Sequence, residues 1–161
     1  MKIALRWRPL TAAFVIGMAT ATLGSSFTEL GPWYQGLRQP PWKPPDFAFG
    51  IIWSIIFFNA ALSSALAWSA AQGHRSKSWL LVLFLGNAGL NVMWSWLYFS
   101  LQRPDWAMFQ WVFLWISVLL LVVGLWRISR FAATLNLPYL VWVSAAGLLN
   151  WATVTLNGPF V

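Results

Sequence analysis

The spacing of the charges constrains this chain more than any other feature. Its ten Lys or Arg and three Asp or Glu fall in short clusters along 161 residues. Between the clusters lie five uncharged stretches, residues 9–28, 47–73, 78–102, 106–126 and 131–161. A helix of about 20 apolar residues crosses the hydrocarbon core of a bilayer, so each stretch is long enough to span it. Spanning backbone must satisfy its own hydrogen bonds, which leaves helices or closed barrels. Barrel strands alternate in polarity, and a run such as Leu80-Leu81-Val82-Leu83-Phe84-Leu85 does not. The expectation is an all-α integral membrane protein that is multi-pass. It forms one domain over residues 1–161, a five-transmembrane-helix bundle. The helices are expected over about 10–27, 47–71, 78–101, 106–130 and 137–157. Short connections make them compact neighbours. Asn136 reads as the N-cap of the last helix, with Pro138 just inside it.

Composition excludes the alternatives. Hydrophobic residues make up 60% of the chain and charged ones 8%, against roughly 45–50% and 25% in soluble domains. Fourteen Trp and twelve Phe exceed what a soluble core of this size can hide. A soluble enzyme and a disordered tail are both ruled out.

The signs of the charges give an orientation. With the N-terminus inside, the inner segments hold Lys2, Arg6, Arg8, Arg75, Lys77, Arg127 and Arg130. The outer segments hold Arg38, Lys43 and Arg103, together with the acids Glu29, Asp46 and Asp105. This bias predicts N-terminus inside and C-terminus outside. It gives a direction and not the identity of the membrane. No basic cluster lies on a soluble face, so no nucleic-acid partner is expected. The first stretch, basic and then apolar with Ala19-Thr20-Ala21, also fits a cleaved secretory signal. Ala13, Gly17 and Ala21 recur at i, i+4, i+8, which suits close packing in a bundle.

Chemistry-bearing residues are few. There is no Cys, and the lone His74 sits in a short inner loop, so no metal site or cofactor is expected. The three acids are spread over two loops, which leaves no paired-carboxylate site. The polar residues inside helices are more informative. Asn87, Asn91 and Trp94 share one face at i, i+4, i+7. Carboxamides at this depth are costly unless satisfied, either as glue between helices or as the wall of a cavity. Tyr139, Trp142, Ala146 and Asn150 share a face of the last helix, and Trp53 and Phe57 stand one turn apart. Trp7, Trp68, Trp79, Trp106 and Trp126 lie near helix ends and read as an interfacial belt. The outer loop, 28–46, holds five of the nine prolines with Trp33 and Trp42. It is long enough to work as a lid over the bundle.

Several motifs then line up. The loop reads Trp33-Tyr34-x-x-Leu37-Arg38-Gln39-Pro40-Pro41-Trp42-Lys43-Pro44-Pro45, followed by Phe49-x-x-x-Trp53-Ser54. Next come Asn91-x-x-Trp94-Ser95-x-x-Tyr98-Phe99 and Arg103-Pro104-Asp105-x-Ala107. The last is Pro138-Tyr139-Leu140-x-Trp142-x-Ser144-x-Ala146-x-x-Leu149-Asn150. Over about residues 24–157 the chain resembles the tryptophan-rich sensory protein/translocator protein family, also called the peripheral benzodiazepine receptor family. The resemblance implies a bundle that keeps its first helix, a homodimer, and an intramembrane pocket under the first loop. It implies binding of porphyrins and other tetrapyrroles. Carried over by motif, the pocket would use Trp33, Tyr34, Trp53, Phe57, Asn87, Asn91, Trp94, Tyr139, Trp142 and Ala146. Phe57 stands where many members have Tyr, and Gly147, where Thr or Ser is common, is expected to loosen the last helix. No Lys or Arg follows Arg130, so the sterol motif of animal members is incomplete and argues against sterol binding.

A porphyrin is a flat apolar disc with an anionic edge. Indole faces stack on such a disc, and Arg38 and Lys43 are placed in the loop to meet its propionates. The expected function is a membrane receptor or sensor for tetrapyrroles, not an enzyme. The alternatives are light-dependent breakdown of bound porphyrin, with Trp53 and Trp142 as redox-active neighbours, and tetrapyrrole transport. Gly86 and Gly89 would permit the close helix contact of a dimer or of the bundle itself.

Overall fold

The structure is a computed structural model and describes residues 6–160; Lys2 of the inner basic set lies outside them. The elements are α1 (Trp7–Phe27), α2 (Pro32–Gly36), α3 (Asp46–Ala70), α4 (Gly73–Ser95), α5 (Pro104–Trp126), α6 (Arg130–Thr134) and α7 (Leu137–Asn157). α4 runs on into a π-helical turn, Trp96–Ser100. Five of these helices, counting α4 with its π turn and α6 with α7, are apolar and long enough to cross a membrane. No strand occurs among the described residues. The protein is thus an all-helical, multi-pass membrane protein.

Small residues decide where the helices close up. Ala13 of α1 packs with Ala61 and Ala65 of α3. A Cβ on Gly17 would sit 3.8 Å from both Ala61 Cβ and the Phe57 carbonyl. With nothing larger between them, the two backbones approach closely, as helices in lipid do at small-residue stripes. α1 also packs on α4, α4 on α5, and α5 on α7. The α5–α7 seam is tight at Gly147. A Cβ there would stand inside the Trp111 indole, whose Nε1 donates to Val143 O at 2.8 Å. Gly147 therefore does not loosen the last helix, as its sequence suggested. It makes room for an indole.

Several boundaries differ from expectation. α1 begins at Trp7, α4 at Gly73 and α5 at Pro104, each earlier than the charges suggested, so that His74, Arg75 and Lys77, expected in a loop, stand in the first turns of α4. α5 ends at Trp126, because Ser129 starts a new turn by accepting from Ala132 N at 3.3 Å. In the outer loop, Pro32 at the first position starts the short helix α2. Asn136 does not cap α7. Its backbone is helical (φ −92°, ψ −2°), and its amide donates to Ser63 Oγ at 2.7 Å and Ala132 O at 3.0 Å. These bonds tie α3 to the α6 corner and fix the carboxamide so that Oδ1, the atom a cap would use, accepts from no α7 amide.

Trp7, Trp106 and Trp126 are exposed at helix ends, Trp79 stands nearly two turns into α4 with its indole against Gly124, and Trp68 is half-buried with Lys77 Nζ 5.5 Å from its ring centre. Among the described residues the ion pairs are Lys43–Asp46 and Arg103–Asp105. Both stand at the end of the bundle that carries the loop.

Candidate ligand-binding site

At the loop end, α3 and α7 meet through rings rather than through close backbones. Phe49 meets Trp142 edge-on at 5.5 Å, and Trp53 meets Tyr139 edge-on at 5.9 Å. Large rings on both helices hold the backbones apart, and a cavity of about 710 Å³ opens beside them. That volume suits a drug-sized ligand. Trp53 stacks on Phe57 at 5.5 Å, and on the other side Trp94 stacks on Tyr98 at 4.9 Å. The π turn positions this second pair. Its extra residue shifts the register, so that Trp94, Tyr98 and Phe99 all reach the wall. The turn closes with Leu101 N donating to Trp96 O at 3.0 Å.

The exposed lining residues lie almost entirely on two helices, Met18, Thr22 and Ser25 on α1 and Gly50, Ser54 and Phe58 on α3. α1 and α3 are packed at Gly17 and Ala61, and the cavity opens along their seam toward the loop end.

The wall collects Tyr34, Trp53, Phe57, Asn91, Trp94, Trp142 and Ala146. Four other expected residues stand elsewhere. Tyr139 and Asn87 are buried one layer behind, hydrogen-bonded to each other at 3.2 Å. Trp33 packs edge-on behind Tyr98 at 6.2 Å. Trp42 is exposed and does not line the cavity. Arg38 and Lys43 are also off the wall. The Lys43 ammonium is spent on Asp46, which also accepts from Tyr34 Oη at 3.1 Å. Arg38 is held by its backbone, whose N–H donates to Asn157 Oδ1 at 2.8 Å and whose carbonyl accepts from Asn157 Nδ2 at 2.9 Å. Burial pushes the Tyr34 phenol above its ordinary pKa, while Lys43 pulls it partly back. Burial also works against the Lys43 ammonium, but its contacts with Asp46 and Tyr34 outweigh that and raise its pKa.

Sequence reasoning missed Gln39, Phe49, Tyr98, Trp111 and the α1 side of the cavity. The small stripe on α1 was visible, but its helical spacing reads as packing alone. Gln39 carries no sequence signal beyond its place in a motif. Three wall residues have buried donors with no acceptor among the described residues, Trp94 Nε1, Trp142 Nε1 and Gln39 Nε2. Unpaired buried donors are uncommon, because each costs roughly 1–3 kcal/mol.

The sequence has counterparts among known proteins. The family model described as TspO/MBR family matches residues 10–156. The chain belongs to the TspO/MBR family. It is 35% identical over 152 residues to the tryptophan-rich protein TspO of Chlorobaculum tepidum, covering 92% of this chain and 96% of that one. It is 34% identical over 150 residues to the tryptophan-rich protein TspO of Archaeoglobus fulgidus, covering 92% and 96%. The human translocator protein is 29% identical over 120 residues, 74% of this chain and 71% of its own. As a TspO/MBR chain, the protein places its motif aromatics on both sides of one cavity, on α3 and α4 and on α7.

Proposed function

We propose that this TspO/MBR member is a membrane receptor or sensor that binds tetrapyrroles in the α3–α4–α7 cavity. The observation that carries the reading is an apolar aromatic wall with three buried donors left unpartnered. A flat apolar ring fills the space between Trp53 and Trp94, and its carboxylate edge supplies the acceptors that Trp94, Trp142 and Gln39 lack. Neutral donors replace Arg38 and Lys43 as the groups proposed to meet the propionates. The receptor is proposed to work as a homodimer. Family membership and the names of its relatives support a sensory role but do not specify the ligand.

The test is quenching of tryptophan fluorescence by protoporphyrin in detergent or nanodiscs. The double variant Trp53→Phe, Trp142→Phe removes one stacking face and one donor. Its affinity should fall about ten-fold or more. Unchanged affinity would put the ligand somewhere else.

A second reading is light-dependent breakdown of the bound porphyrin. It is favoured by Trp53 and Trp142 lying together on the wall, since indole is readily oxidised. Illumination of the complex should then bleach the porphyrin faster than in the double variant at equal occupancy. Equal rates at equal occupancy leave only the receptor.

A further inference from the structure

Four hydrogen bonds run in line from the cavity into the bundle, and a backbone carbonyl fixes their sense. Ser117 Oγ donates to Leu114 O at 2.7 Å. That carbonyl can only accept, so the hydroxyl proton is committed to it. Ser117 Oγ then offers Asn87 only lone pairs, and Asn87 Nδ2 donates to it at 2.8 Å. This sets the amide so that Asn87 Oδ1 accepts the Tyr139 phenol proton at 3.2 Å. With that proton used, the phenol oxygen accepts from Asn91 Nδ2 at 3.0 Å. The carboxamide of Asn91 is thereby oriented from a point deep in the bundle. One N–H of its amide is committed to Tyr139, and no donor of the described residues reaches its oxygen. Asn91 is buried, 6% exposed, and lines the cavity.

We propose that Asn91 Oδ1 is the specificity-determining acceptor of this cavity, selecting ligands that carry an N–H or O–H on an otherwise apolar edge. Tyr139, Asn87 and Ser117 are positioning residues that keep Asn91 an acceptor. A site built to hydrogen-bond a donor rejects the analogue that lacks it, because the oxygen that the ligand covers is then left unpaired. The inference deepens the tetrapyrrole reading and, for tetrapyrroles, rests on it. In a closed macrocycle the pyrrole N–H groups point at the ring centre, out of reach of an outside acceptor. An open-chain tetrapyrrole carries pyrrole and lactam N–H groups along an accessible edge. The cavity is therefore selective for the open-chain form.

The chain of bonds also predicts its own reversal. Without the Ser117 hydroxyl, Asn87 loses its outer acceptor and is free to turn. Its NH₂ then faces Tyr139, the phenol donates to Asn91 Oδ1, and Asn91 presents its NH₂ to the cavity. One substitution behind the wall converts the acceptor into a donor.

The experiment measures two ligand pairs on the full chain by tryptophan quenching at neutral pH. One pair is biliverdin and protoporphyrin. The other is hydroxypyrene and methoxypyrene, flat probes that differ in one donor. In the wild type the donor-bearing member of each pair should bind roughly five-fold tighter. In Asn91→Leu that preference should disappear while methoxypyrene affinity holds. In Ser117→Ala, which leaves the lining intact, the preference should fall to parity or invert. A preference unchanged in both variants overturns the proposal, as does wild-type binding without preference. If the pyrene pair behaves as expected and neither tetrapyrrole binds, the donor selection stands and the tetrapyrrole reading falls. If none of the four binds, both fall.

Discussion

At the scale of single residues, what an isolated glycine or asparagine does depends on what faces it. Gly147 looked like a weak point in the last helix. It is instead the notch that receives Trp111, and a methyl group there must push the indole away. Gly147→Ala should destabilise the protein by about 1–3 kcal/mol. The drop would be read as a lower Tm, with a changed Trp111 emission. An unchanged Tm would mean that α5 and α7 can separate at no cost. Asn136 teaches the same lesson. Asn before a Leu-Pro helix start is a fair cap signal, but Ser63, far away in sequence, claims its amide. Asn87 and Asn91 were legible as paired polar residues on one face. Asn87 serves only as glue between helices, whereas Asn91 is both glue and cavity wall. Asn87 bridges α4 to α5 and α7, and Asn91 stands at the wall. Periodicity gives a face and not a partner, which is why the difference was out of reach of the sequence.

At the scale of elements, the five long helices were legible because lipid demands uncharged length and charges mark its limits. Their ends were less so. The π turn after Ser95 has no signature in its letters, yet it delivers Tyr98 and Phe99 to the cavity. The loop was expected as a lid that carries Trp33 and Trp42. Besides the packing of Trp33 on Tyr98, it is fastened through its main chain, since the side chain of Asn157 at the end of α7 grips both the N–H and the carbonyl of Arg38. That grip covers the peptide bond a trypsin-like protease would cut after Arg38. In Asn157→Ala, cleavage there should speed up roughly five- to ten-fold, for the loss of two hydrogen bonds in a partly exposed setting. Cleavage at the wild-type rate would show the loop to be held by its packing alone.

At the scale of the whole molecule, the charges predict a direction in the membrane. The chain has no Cys, so one introduced thiol is the only one to label. We expect Gln35→Cys, on the loop end, to react with an impermeant maleimide on intact cells. His74→Cys, on the basic end, should react only after permeabilisation. The reverse pattern would refute an N-terminus inside. The opening along the α1–α3 seam carries a further consequence. A cavity that opens sideways samples solute dissolved in hydrocarbon rather than in water. Its occupancy then follows the mole fraction of ligand in the bilayer, so an aqueous Kd is a product of intrinsic affinity and a partition coefficient. Doubling the lipid at fixed protein and ligand should dilute the ligand in two dimensions and lower occupancy with no change in the site. Two ligands of equal fit would be ranked by their solubility in oil.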